Sequence, residues 1–157
     1  MDLSHLNPLP KWEDRLHQVD EGEAWKWQEE TDAAKALYNQ WREIFGLVVA
    51  IVDTIKDEEE EKLSLKAMIY ENAYVVGPKI ISAVGDTLYQ IKMENAALIR
   101  YNCRQMWEQI AFAALMGTAD SEYKTVMEDA LKTFRQLFRK WVALFKRDDV
   151  EDDWGLF

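Results

Sequence analysis

Apolar residues fall along this chain in four long runs at alternating three- and four-residue steps, the spacing of one face of an α-helix. The first run, from about Glu23 to Lys56, follows Trp27, Ala34, Leu37, Trp41, Ile44, Val48, Ile51 and Ile55, with one gap at Glu30. Tyr38, Phe45 and Val52 form a second column beside it, wide enough to serve two neighbouring helices. The second run follows Leu65, Ile69, Ala73, Val76, Ile80 and Ala83 and contains Gly77-Pro78. An interior proline deletes a backbone hydrogen bond and crowds the carbonyl four residues back, yet the stripe continues in phase. A kink near Val75 is expected rather than a break. Gly85-Asp86-Thr87 reads as a stop for this helix and a cap for the next.

The third helix is expected from about Thr87 to Met116, on Ala96, Ile99, Cys103, Met106, Ile110 and Ala113. Residues 117–121 close it, and Asp120 or Ser121 caps the fourth. There Met127, Leu131, Phe134, Phe138, Trp141 and Phe145 alternate without a gap, with Ala130, Leu137 and Leu144 beside them. Short connections leave consecutive helices no choice but to be neighbours. The predicted fold is all-α: an antiparallel up-down-up-down four-helix bundle over residues 23–147, with a kinked second helix.

Two flanking segments lack this periodicity. Residues 1–22 carry Pro8 and Pro10 and read as an extended leader. Leu9-Pro10-Lys11-Trp12 would strap over the helices with Trp12 as its anchor, or the segment is a loosely ordered terminus. Residues 148–157 form an acidic tail with an apolar tip, Trp154-Gly155-Leu156-Phe157. Such a tip tends to dock in a groove, on its own chain or on a neighbouring subunit.

Composition narrows the class. With 157 residues, 48% of them hydrophobic, six Gly and three Pro, the chain suits one domain and is too poor in turn residues for a sandwich or barrel. Lys and Arg number 19 against 29 Asp and Glu, a net charge of −10 that would repel nucleic acid and anionic membrane. The run from Ile44 to Val52 is far short of the ~20 apolar residues of a spanning helix. Met1-Asp2-Leu3-Ser4-His5-Leu6 does not resemble a secretory signal, so a cytoplasmic location is expected.

Catalytic templates fail on the residue inventory. The two histidines, His5 and His17, both stand in the leader, which removes carboxylate-histidine iron sites and histidine-assisted nucleophiles from the bundle. Cys103, the single cysteine, lies on an apolar stripe and reads as an inert thiol. Asp57-Glu58-Glu59-Glu60-Glu61 lacks the central glycine of a calcium loop; it suits the first turn of the second helix, where carboxylates meet the positive end of the helix dipole. No phosphate-binding glycine loop occurs. We expect no enzymatic activity, no cofactor and no metal.

A repeated tripeptide, Glu71-Asn72-Ala73 and Glu94-Asn95-Ala96, is the candidate for something beyond packing. A ligand-binding reading makes Glu71, Asn72, Glu94 and Asn95, with Arg100, Tyr70 or Tyr101 nearby, a polar pocket for a cation or small molecule. A structural reading makes the same residues a network that fixes helix register. On the last helix, Lys132, Arg135, Arg139, Lys140, Lys146 and Arg147 suit the negative end of its dipole and the acidic residues that follow. Seven tryptophans exceed what one bundle readily hides. Trp12, Trp25, Trp27, Trp154 and Phe157 are the candidate interface residues.

The stretch from about Leu63 to Phe145 resembles the small bacterial four-helix-bundle proteins first known from intervening sequences in ribosomal RNA genes. The resemblance is carried by Val76-Gly77-Pro78-Lys79-Ile80-Ile81, the glycine turn at Gly85 and the aromatic-rich last helix. It implies the same bundle fold and a ring-like homo-oligomer, often a pentamer. Relatives of that family serve as nucleic-acid-binding accessory subunits of diversity-generating retroelements, a role that needs a basic surface and that the net charge argues against here. The function expected is that of an oligomeric scaffold or protein-interaction module, dimeric or pentameric. A metal- or small-ligand-binding bundle and a nucleic-acid accessory subunit are the alternatives.

Overall fold

Four helices make up the regular structure of the described residues, which are 7–13, 24–56 and 64–157 of a computed structural model; no strand occurs among them. The helices are α1 (Ala24–Thr54), α2 (Leu65–Val84), α3 (Tyr89–Leu115) and α4 (Ser121–Ala143). The four apolar runs therefore become four helices, and their ends differ from expectation in ways that local hydrogen bonding explains. The acidic run at 57–61 lies outside the described residues. α2 starts only at Leu65, with no acidic residue in its first turn; Ser64 caps it by accepting a hydrogen bond from the Ala67 N–H at 3.0 Å.

Gly85 ends α2 with an ordinary right-handed backbone, so the turn does not use glycine's freedom. α3 begins at Tyr89, two residues later than Thr87, because Leu88 stands at its cap position and offers no side-chain acceptor. The acceptor comes from far along the chain: the Tyr89 N–H donates to Asp148 Oδ2 at 2.8 Å. Between α3 and α4 the backbone turns at Gly117, whose φ of +72° is accessible to glycine at little cost. Asp120 then caps α4 by accepting from the Glu122 N–H at 2.9 Å.

α1 packs against both α2 and α4, and α2 against both α1 and α3, while α3 and α4 touch far less. The stripes make the core: Leu37, Trp41, Ile44 and Ile51 of α1, Ile69, Val76 and Ile80 of α2, Ile99, Met106 and Ile110 of α3, Met127, Phe134 and Trp141 of α4. Each fully buried side chain of this size contributes ~1.5 to 3 kcal/mol relative to exposure. Trp41 joins three helices. Its ring lies 5.1 Å from that of Phe134, and its Nε1–H donates to the Ala73 carbonyl of α2 at 3.1 Å.

Residues 7–13 do strap over the helices, but the anchor is Leu9 rather than Trp12. Leu9 is 3% exposed and lies against Gly77, where an added Cβ would stand 3.2 Å from its Cδ2. Gly77 thus supplies a seat for the strap. Three hydrogen bonds hold the strap to α1: Tyr38 Oη donates to the Pro10 carbonyl at 2.6 Å, Arg42 Nε to the Leu9 carbonyl at 3.3 Å, and Asn7 Nδ2 to the Arg42 carbonyl at 2.9 Å. Burial raises the pKa of the Tyr38 phenol against the opposing influence of Arg42. Trp12 is half-buried, its ring 5.7 Å from that of Tyr38.

The gap at Glu30 in the α1 stripe is occupied by a buried ion pair. Lys92 Nζ of α3 donates to Glu30 Oε1 at 2.5 Å, and both side chains are shielded from solvent. The ammonium sits 4.5 Å from the Trp27 ring and 5.8 Å from Phe145, a desolvated cation over aromatic faces. Trp27, one of the expected interface residues, is half-buried and covers this pair.

Candidate functional site: a groove between α3 and α4

Where α3 and α4 part, a groove of about 410 Å³ opens. Its floor is made by the two apolar stripes, Ile99 and Cys103 from α3 and Leu131, Phe134 and Phe138 from α4, with Trp107 along one wall. Arg100 and Arg104 on α3, and Arg135 and Glu128 on α4, form the rim. The helix period produces this arrangement: Arg100, Arg104 and Trp107 recur at the four- and three-residue steps that flank the α3 stripe. Three guanidinium groups against one carboxylate give the groove lining a net positive charge. Among the described residues, no hydrogen bond or ion pair joins α3 to α4 across it.

The groove is a positive island on a negative molecule, apolar below and cationic above. Its volume falls within the ~300 to 1,000 Å³ of ordinary ligand clefts. The arginines can meet carboxylates or phosphates with paired N–H donors. Cys103 adds no nucleophile, because burial pushes its thiol pKa far up and keeps it protonated at neutral pH.

The residues singled out from the sequence lie elsewhere. Glu71 and Glu94 are exposed, Asn72 is half-buried and Asn95 buried. Asn72 Nδ2 donates to Gln109 Oε1 of α3 at 3.1 Å and to the Met68 carbonyl at 3.0 Å. That bond sets Asn72 level with Gln109, fifteen residues beyond Glu94, so the two Glu-Asn pairs stand roughly 20 Å apart along the helices. The structure does not bring them together. Among the described residues, no three His, Cys, Asp or Glu side chains cluster as metal ligands would. Arg100 had been placed beside the Glu-Asn pocket, and it belongs to the groove.

Of the candidate interface residues, Trp12 packs on Tyr38 and Trp27 on Lys92, whereas Trp25 stays in solvent. The C-terminal tip docks nowhere on its own chain: Trp154 is 89% and Leu156 76% exposed, and Phe157 also reaches solvent. The tip is nonetheless ordered by a turn in which Asp152 accepts from the N–H groups of Trp154, Leu156 and Phe157. These bonds lower the Asp152 pKa and favour its ionised form.

No helix among the described residues is long and apolar enough to cross a membrane. In comparisons with known proteins, no family model, no curated protein and no solved structure matches this chain.

Proposed function

We propose that this chain is a non-enzymatic helical module that works by self-association in the cytoplasm, with the α3–α4 groove as its recognition surface. The helices alternate in direction and α2 bends at Gly77-Pro78, as in the bundle proteins the sequence resembles. One observation carries the reading: an apolar-floored, arginine-rimmed groove opens between the two helices that touch far less than the other packed pairs. Exposed Trp25, Trp154 and Leu156 supply further apolar surface that association would cover. Cys103 on the groove floor is held protonated by burial, which agrees with a binding role.

Light scattering and sedimentation of the intact chain test this reading. The expected mass is a multiple of 18.4 kDa. Arg104→Glu combined with Phe138→Ser is expected to weaken association at least tenfold while preserving the helical spectrum. A monomer at every accessible concentration would overturn the reading.

A further inference from the structure

We infer that the occupant of the α3–α4 groove is the C-terminal segment of a second copy of this chain, residues 149–157; this rests on the reading of the groove as a self-association surface. The first argument is charge. Two of the tail's carboxylates are engaged locally: Asp148 accepts from the Tyr89 and Val150 N–H groups, and Asp152 closes the terminal turn. Asp149, Glu151 and Asp153 have no ion-pair partner among the described residues. The groove rim offers three arginines of complementary charge, Arg100, Arg104 and Arg135.

Spacing is the second argument. Arg100 and Arg104 lie one helical turn apart, about 6 Å along α3. Carboxylates two residues apart on an extended chain stand about 6.6 Å apart and on the same side. Asp149 and Glu151, which precede the Asp152 turn, follow that alternation, so this pair matches the arginine pair with the turn left intact. Trp154 comes directly after Asp153, where it can leave the charged rim for the apolar floor at Cys103 and Phe138.

Reach decides which copy supplies the tail. Asp148 is fixed to the start of α3 by its bond to the Tyr89 N–H, and the four residue steps from it to Asp152 span at most about 13 Å of extended chain. The groove begins at Ile99, ten residues or about 15 Å along α3 from Tyr89, and continues to Trp107, about 27 Å away. With its turn intact, a chain's own tip reaches only the near mouth. A second copy's tip can lie along the whole groove. Reciprocal exchange of two tails would close a two-fold dimer.

Mixing two full-length variants tests the inference, since neither substitution touches the buried core. Trp154→Ser keeps the groove and spoils the tip, while Arg100→Glu with Arg104→Glu keeps the tip and spoils the groove. Each alone is expected to associate at least tenfold more weakly than the parent chain. Their equimolar mixture is expected to regain a one-to-one complex through the single intact tip and groove, and that complex should weaken as salt is raised. A mixture that stays dispersed would overturn the inference. So would a Trp154→Ser chain that associates like the parent, and if the arginine variant nonetheless disperses, the groove still mediates association with a different occupant. A parent chain that is itself monomeric removes the groove reading as well.

Discussion

The seam between α1 and α2 and the seam between α3 and α4 are built from the same kind of apolar stripe but finish differently. At the first, Trp41 spans the interface and hydrogen-bonds to the Ala73 carbonyl, and the strap lays Leu9 against Gly77. At the second, arginines occupy both margins and a groove persists. Binary pattern brings helices together; the residues at the stripe edges decide whether a seam closes. A small residue admits a covering segment, and long charged side chains at the margins leave a seam uncovered.

The largest predicted effect breaks the closed side. Trp41→Ala removes a fully buried ring and its hydrogen bond and is expected to cost about 3 to 5 kcal/mol in denaturant unfolding. Phe138→Ala, on the half-buried floor of the open side, is expected to cost clearly less. Equal costs would mean the two seams do not differ as described.

Glu30→Ala strands the Lys92 ammonium beneath Trp27 and should cost about 3 kcal/mol or more. Combining it with Lys92→Met should recover most of that loss. A double variant as unstable as the single one would show that Lys92 contributes packing and not charge pairing. Leu9→Ala is expected to cost about 2 kcal/mol and to make residues 7–13 readily cleaved by protease.

The smallest effect concerns the tip. Because the Asp152 pKa is lowered in the folded turn, the turn's contribution is fully present above the ordinary carboxylate value of about 3.9. It is lost as the pH falls through the lowered folded value. The Gly155 amide resonance should therefore move toward its unstructured position in acid, while an Asp152→Asn chain should show that position at neutral pH. Arg104→Glu, exposed on the rim, should change folding stability by no more than about 0.5 kcal/mol.

The helices were legible because long apolar stripes at helical period leave one economical way to hide them; most helix ends fell within a few residues of expectation, but α2 starts at Leu65, beyond the acidic run expected in its first turn. The break at Glu30 was also legible as a gap, although its meaning depended on Lys92, distant in sequence. What could not be read was contact between segments. Gly77 looked like a partner to Pro78 in a bend, and its role as a seat for Leu9 becomes visible only once the strap crosses α2. The Glu-Asn repeat suggested a shared pocket, but a repeated tripeptide does not fix axial register, and the Asn72–Gln109 bond sets one that separates the pairs. Arg100, Arg104 and Trp107 were present as a spacing beside the α3 stripe. Their meaning arose when α4 brought Arg135 opposite.

The place of Leu9 also bears on how the molecule is made. On a ribosome adding about 5 to 20 residues per second, this leucine is synthesised several seconds before Gly77, the residue that receives it. The earliest-made part of the described chain cannot reach its final seat until the second helix has emerged, while the third and fourth helices are still to be made.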